Sequence, residues 1–130
     1  MDALKFLNVA NDLVTAEKTI VRLPITDNIK QPYGIVHGGI NAFLAETAAS
    51  LGAKASLTDP NQVPVGVDIH THHLNAATEG TLLATATPIK LGHRIQTWTV
   101  TTLIEETQQQ TSTSIVTMMI TTQGWDLLSN

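Results

Sequence analysis

HGGINAFLAETAASLGAKASL, residues 37–57, is the stretch on which the fold turns. Ile40, Phe43, Leu44, Thr47, Ala48, Leu51 and Ala55 recur at intervals of three and four, which on a helix gathers them into one stripe. Alanine, the best helix former, is frequent here, and Pro60 lies beyond the end. The pattern predicts a helix over about 39–57, the only long helical signal in the chain. A second face carries Ala42, Glu46, Ala49, Ser50 and Ala53. Its small residues surround one carboxylate and leave room for something to approach closely.

Working outward, the pattern changes on both sides. Residues 4–25 read as two strands: Phe6, Leu7 and Val9 open an apolar stretch, and Thr19-Ile20-Val21-Arg22-Leu23 is rich in β-branched side chains. Pro24 and Thr26-Asp27-Asn28 end the second strand, and Gln31-Pro32-Tyr33-Gly34 reads as a loop. Downstream the chain reads as sheet. Of its 20 threonines, 14 lie at or after Thr78, and threonine suits a pleated surface better than a helix interior. Val63, Val65, Val67 and Ile69 alternate with Pro64, Gly66, Asp68 and His70. Further strands are expected at about 80–90, 94–105 and 111–122, with a polar turn at 105–110 between the last two. The order is ββαββββ, an α+β fold in which one long helix covers one face of a six-stranded antiparallel sheet. The other face then needs cover, which self-association would supply.

A length of 130 residues suits one core, so residues 1–130 are expected to form one domain. Charged residues make up 14%, well below the roughly 25% of ordinary soluble chains, which points to a surface partly covered by another copy. Seven basic and eleven acidic residues give a net charge of −4, which argues against a nucleic-acid partner. The absence of cysteine excludes disulfides, cysteine-based zinc sites and thiol nucleophiles. No apolar run approaches the roughly 18 residues of a membrane span, and the N-terminus lacks the regions of a signal peptide. A cytoplasmic protein without a membrane partner is expected.

Four groups of residues could do chemistry. Glu46, set among small and apolar neighbours, would be partly desolvated, which raises the basicity of a carboxylate and suits a general base or nucleophile. The alternative is a solvated glutamate on the outer helix face. His37-Gly38-Gly39 stands at the helix entry, where free N–H groups could hold an oxyanion; the alternative is a tight turn. On a strand, Asp68, His70 and His72 share one face and His73 lies on the other. Such a run could bind a divalent metal, but no second cluster of ligand spacing accompanies it, so a polar strand face at a subunit interface is expected instead, and no metal. Lys90-Leu91-Gly92-His93-Arg94 could contact phosphates or simply form a charged turn. There is no Gly-x-Ser-x-Gly, Walker loop or dinucleotide fingerprint.

Taken together, Gln31-Pro32-Tyr33-Gly34, His37-Gly38-Gly39, then Glu46 and Ser50 resemble the hotdog-fold acyl-CoA thioesterases. The phenylacetate-pathway and 4-hydroxybenzoyl-CoA-type branch is most similar, within it the hydrolases of 1,4-dihydroxy-2-naphthoyl-CoA or aroyl-carrier-protein thioesters. Val65-Gly66-Val67-Asp68-Ile69 and Leu91-Gly92-His93-Arg94-Ile95-Gln96-Thr97-Trp98 also match in kind and order, so the resemblance runs from about Phe6 to Thr122. It implies that Glu46 attacks the thioester or activates water, and that the Gly38 N–H polarises the carbonyl. Gln31 and His37 would assist, and Ser50 would arrange water or the acyl end. Gly39, Gly66, His72 and His73 would line the substrate, and Lys90, Gly92, His93 and Arg94 would lie near the coenzyme A phosphates. The site would be shared between subunits of a homotetramer built from two dimers, with Val63–Leu74 at the dimer seam. No cofactor is implied.

Two departures bear on the acyl group. The family usually has a helix before the first strand, whereas this chain begins almost at the strand, so one pocket wall is expected to be open or differently closed. Where the family carries Asn-x-Asn, this chain reads His70-Thr71-His72-His73. A non-catalytic acyl-CoA-binding protein and a hydratase or dehydratase on the same fold are the alternatives. The first would normally carry a DNA-binding appendage, for which 130 residues leave no room, and the second needs a histidine–acid pair at other positions.

Overall fold

In the computed structural model, which describes residues 1–122, the long helix runs from Gly38 to Ala55 (α2). Strands Ala10–Val14 (β1) and Thr19–Pro24 (β2) precede it, and Gln62–His73 (β3), Thr81–Leu91 (β4), Ile95–Ile104 (β5) and Gln110–Thr122 (β6) follow. All neighbours pair antiparallel in the order β1-β2-β4-β5-β6-β3. The expected six-stranded sheet around one helix is therefore present, with β3 at one edge. No helix among the described residues is long and apolar enough to cross a membrane.

The way α2 packs differs from the expectation. Its buried row is Asn41, Leu44, Ala45, Ala48, Ala49, Gly52 and Ala53, while Ile40, Phe43, Thr47 and Leu51 are only half-buried and Ala55 is exposed. The cause is the closeness of the sheet. A methyl group on Gly52 would lie 2.5 Å from the ring of Trp98, which is fully buried on β5. Trp98 Nε1 donates to Gln96 Oε1 at 2.9 Å, and Gln96 Nε2 donates to the Ser56 hydroxyl at 2.8 Å just past the helix. Ala49 and Ala53, read from the sequence as neighbours of Glu46, thus face the sheet. The close approach they allow is that of the sheet itself.

Strand alternation accounts for the threonines. Leu82, Ala84, Ala86, Trp98, Val100, Val116 and Met118 point toward α2 and are buried, whereas Thr85, Thr97, Thr99, Thr101, Thr113 and Thr117 sit half-buried on the other face. Full burial of Leu23, Leu44, Leu82 and Met118 contributes about 1.5–3 kcal/mol each.

Phe6 does not open the first strand. Ala3–Phe6 form one helical turn (α1), capped by Asp2, whose carboxylate accepts the Lys5 N–H at 2.9 Å. Asn8, at φ 63°, then reverses the chain, a conformation that asparagine tolerates better than most residues. β1 therefore starts only at Ala10. A short helix thus precedes the first strand after all.

Candidate active site

The N-terminus of α2 is prepared by a cap that leaves one donor free. His37 is the N-cap residue, and its Nδ1 accepts the Gly39 N–H at 2.8 Å. The Ile40 N–H donates to the His37 carbonyl at 2.9 Å. Among the described residues the Gly38 N–H has no hydrogen-bond partner. It lies at the positive end of an 18-residue helix, where an anionic oxygen is favoured.

The loop before the helix is held in place from two sides. The Gly34 N–H donates to the Gln31 carbonyl at 3.0 Å, and Gly34 takes the left-handed φ of 87° that the turn requires. The Val36 N–H donates to Ala77 O at 2.8 Å, tying the loop to the segment between β3 and β4. The side-chain oxygen of Gln31 accepts the Tyr33 N–H, which leaves its NH₂ end for other partners. Gln31 and Gly38 line one cleft of about 270 Å³ with Asn41, His73 and Thr111. His73 sits on the helix-facing side of β3, and its ring packs on Gly38 so closely that a methyl there would lie 3.0 Å from Nε2.

Glu46 and Ser50 lie in a second cleft of about 190 Å³, walled by Leu4, Phe43, Thr47 and Leu51. Leu4 comes from α1, so of the two expected outcomes, an open wall or a differently closed one, the short N-terminal turn gives the second. The Glu46 carboxylate rests over Gly66 of β3, where a methyl would lie 2.6 Å from Oε1. A β-bulge at Val67 adjoins this point. Glu46 is exposed within the single chain. The desolvation expected from its small neighbours is not provided there, because Ala49 and Ala53 have turned to the sheet.

The remaining candidates separate. Asp68, His70 and His72 share the outer face of β3, opposite Thr117, Ile115 and Thr113, and His70 Nε2 is 3.1 Å from Asp68 Oδ2. His72 therefore does not share the cleft that His73 lines. Among the described residues no cluster of three or more histidine or acidic side chains could hold a metal ion. A bulge at Ile89 pairs Lys90 with Thr97 and so turns Lys90 to the outer face. Gly92 and His93 line a third cleft, with Ser56, Gln62 and Gln96. Arg94 is exposed beside it and, like Lys90, makes no ion pair among the described residues. Arg22 by contrast is clamped by Glu105 at 2.6 Å and Asp12 at 2.9 Å, and hydrogen bonds to these carboxylates, Glu105 first, raise its pKa.

Among the residues lining these clefts, Leu4, Asn41 and Thr111 escaped the sequence reading. An amide in the core-facing row of a helix is a signal that could have found Asn41. Nothing distinguishes Thr111 among so many threonines, and Leu4 depended on α1 being recognised.

Residues 33–111 match the sequence profile of the family described as Thioesterase superfamily. An enzyme of Listeria monocytogenes named 1,4-dihydroxy-2-naphthoyl-CoA hydrolase is 36% identical over 100 residues, 75% of this chain and 80% of the relative. The crystal structure of a thioesterase from Haemophilus influenzae superposes with a TM-score of 0.87 at 30% identity, covering 93% of this chain and 83% of that one. A Staphylococcus aureus protein superposes with a TM-score of 0.89 at 27% identity, covering 93% and 99%. That protein, described as a thioesterase enzyme, was crystallised with a glutamate and, separately, a glutamine replaced by alanine. The two replaced positions are 15 residues apart, the separation of Gln31 and Glu46 here.

Proposed function

Because this chain belongs to the thioesterase superfamily and is a thioester hydrolase, we propose that it cleaves an acyl- or aroyl-CoA thioester to the free acid and coenzyme A, with Glu46 as its reacting carboxylate. The observation that carries this reading is the free Gly38 N–H at the head of the same helix that presents Glu46. The N–H polarises the thioester carbonyl and stabilises the oxyanion that forms when the carbon is attacked. Gln31, which lines the same cleft as Gly38, and His37, whose Nε2 is left as its donor by the cap at Nδ1, assist the Gly38 N–H. Ser50 lies with Glu46 and orients water or the acyl end.

Two routes use these groups. In one, a Glu46 oxygen attacks the carbonyl carbon, the C–S bond breaks, the thiolate leaves and takes a proton, and water then cleaves the mixed anhydride. In the other, Glu46 removes a proton from water as the water attacks. Neither route needs a metal or an organic cofactor. Where water opens the anhydride at the Glu46 carbonyl, a single turnover in ¹⁸O-water separates the two routes, because the label then goes first to Glu46 and not to the released acid.

The distances support a site built from two copies. A carbonyl can touch a donor and a nucleophile together only if those atoms lie within about 7 Å. Gly38 and Glu46 are eight residues apart on α2, about 12 Å along the axis. Their contacts on β3, His73 and Gly66, are separated by a strand length on the order of 20 Å. Gly38 of one copy facing Glu46 of the other closes that gap. β3 offers the seam: it borders only β6 among the described residues, and Val67 on it and Leu74 just past its end are half exposed. The half-buried threonine face suits the further pairing of two dimers into a tetramer.

The walls of the Glu46 cleft, Leu4, Phe43 and Leu51 with the hydroxyls of Thr47 and Ser50, suit an apolar or aromatic acyl group carrying a polar substituent. The name of the Listeria relative agrees with an aroyl thioester. Gly39, Gly66 and His73 border the thioester path, whereas His72, on the opposite sheet face, would reach it only through a second copy. Lys90 and Arg94 supply cations for the nucleotide end, with the His93 ring beside them, in coenzyme A rather than a carrier protein.

Co-refolding two inactive variants tests the shared site. Glu46→Gln and Gln31→Ala chains are each expected to be inactive. Mixed, half of the dimers pair one of each and hold one intact site, so about a quarter of wild-type activity should return. No recovery, with mixed dimers shown to form, would sink the two-copy site.

A further inference from the structure

Asn41 is 6% exposed and stands in the core-facing row of α2. Asparagine is a weak helix former, and a buried amide is costly unless both its ends are hydrogen-bonded. Both ends are. Nδ2 lies 3.3 Å from His73 Nδ1, and Oδ1 accepts the Thr111 hydroxyl at 3.3 Å. Thr111 is itself buried, and its hydroxyl also lies 3.2 Å from the Thr102 carbonyl. The amide therefore links β6 to the imidazole that rests on Gly38.

Counting hydrogens makes this link informative. The Thr111 hydroxyl has one hydrogen and two candidate acceptors, Asn41 Oδ1 and Thr102 O. When it goes to Asn41, the amide NH₂ faces His73, Nδ1 must be bare, and the neutral ring carries its hydrogen on Nε2. When it goes to Thr102, the amide turns round, takes a hydrogen from Nδ1 and leaves Nε2 bare. In the structure the amide has its NH₂ toward His73 and its Oδ1 toward Thr111, the orientation that belongs to the first arrangement. Nε2 in turn lies against Gly38, the residue with the free N–H.

We propose that Asn41, anchored by Thr111, is a positioning residue that holds His73 as its Nε2–H tautomer, so that this N–H and the Gly38 N–H form a pair of donors on one wall of the cleft. The inference rests on the thioesterase reading above. Two donors converging on one oxygen suit a carbonyl that gains negative charge during attack, whereas a bare Nε2 would repel it.

The test combines ¹⁵N NMR of the histidine rings in the full chain with steady-state kinetics on benzoyl-CoA and hexanoyl-CoA. Wild-type His73, in its neutral form, is expected to show hydrogen on Nε2. Thr111→Val keeps the shape and loses the hydroxyl. It should give mixed tautomers and a kcat lowered about tenfold, with KM within about threefold. Thr111→Ser, which keeps the hydroxyl and loses the methyl, should retain both the tautomer and most of kcat. Asn41→Ala should lose the single tautomer and more activity than Thr111→Val. Hydrogen on Nδ1 in the wild type would overturn the proposal whether or not any variant folds. So would a Thr111→Ser enzyme as impaired as Thr111→Val, which is the mark of a packing role. A wild type with the Nε2–H tautomer that cleaves no thioester would leave the ring's positioning intact and remove the thioesterase reading instead.

Discussion

The two clefts along α2 are built on opposite plans. At the Gly38 end everything is fastened: a capped helix start, a loop tied by Gly34 and Val36, and an imidazole braced by a buried amide. The donor there is backbone and has no freedom of its own. At the Glu46 end a single flexible side chain lies over Gly66, exposed, with only apolar walls and two hydroxyls around it. An oxyanion site works by being fixed before charge develops, whereas a reacting carboxylate must move between carbonyl and water. On the proposed reading, the fold spends its rigidity on the first and a glycine's missing side chain on the second. The two ends should therefore fail in different ways when mutated.

The largest effect is expected at the mobile end. Glu46→Gln keeps the size and removes the charge, so kcat should fall at least about 100-fold while the melting temperature stays near wild type. Thiol release from a CoA thioester by the purified, folded variant measures this. A variant near wild-type rate would take Glu46 out of the chemistry and leave the comparison without its second half.

Gly66→Ala sharpens the same contrast. The added methyl would stand 2.6 Å from the Glu46 carboxylate and 2.9 Å from its Cδ, the far end of a flexible side chain that can swing aside. The backbone at Gly66 is not left-handed, so alanine fits without strain. Stability should then hold or rise by a few tenths of a kcal/mol, because alanine leaves the unfolded chain less freedom. Activity should fall about tenfold, since a reacting group displaced by about 1 Å loses its alignment. A drop in melting temperature with unchanged kcat would mean that Gly66 serves packing and does not seat the carboxylate.

These particulars also mark what was legible beforehand. The helix announced itself through its three-and-four spacing, and the sheet through its threonines, because both signals are periodic and local. The split of His70 and His72 from His73 followed from strand alternation and survived because the Val67 bulge lies upstream of all three. Which face of α2 is buried was not legible. Size alone favoured Phe43 and Leu51, but the fit of Trp98 against Gly52 depends on how tightly a sheet wraps, and that is a tertiary property. The turn at Ala3–Phe6 was hidden because Phe6, Leu7 and Val9 look strand-like unless the Asp2 cap is weighed. Of the candidates Gln31, His37, Gly38, Glu46 and Ser50, which the family resemblance named, Gln31 and Gly38 line one cleft and Glu46 and Ser50 another, and that division, like the seat of Glu46 on Gly66, came only with the packing.

The smallest effect is expected outside both clefts, where the nucleotide end of the substrate would lie. The chain carries a net −4, so its overall field does not draw in a polyphosphate, and any attraction must be local. Lys90, His93 and Arg94 surround the turn between β4 and β5, all three exposed. The Ile89 bulge turns Lys90 outward, and the Ile120 N–H donates to the Arg94 carbonyl at 2.8 Å, which fixes the backbone from which the guanidinium extends. Arg94 makes no ion pair among the described residues, so its fork is available to phosphate oxygens. Water and salt screen a contact this exposed, so the loss should be modest and should shrink as ionic strength rises. Arg94→Ala is expected to raise KM for a CoA thioester about three- to tenfold with little change in kcat, the mark of binding lost equally from ground and transition states. A thioester truncated to the pantetheine arm should hardly notice the change. If both substrates lose equally, Arg94 supports the hairpin, and the contact to the phosphates has to be sought at Lys90 or His93.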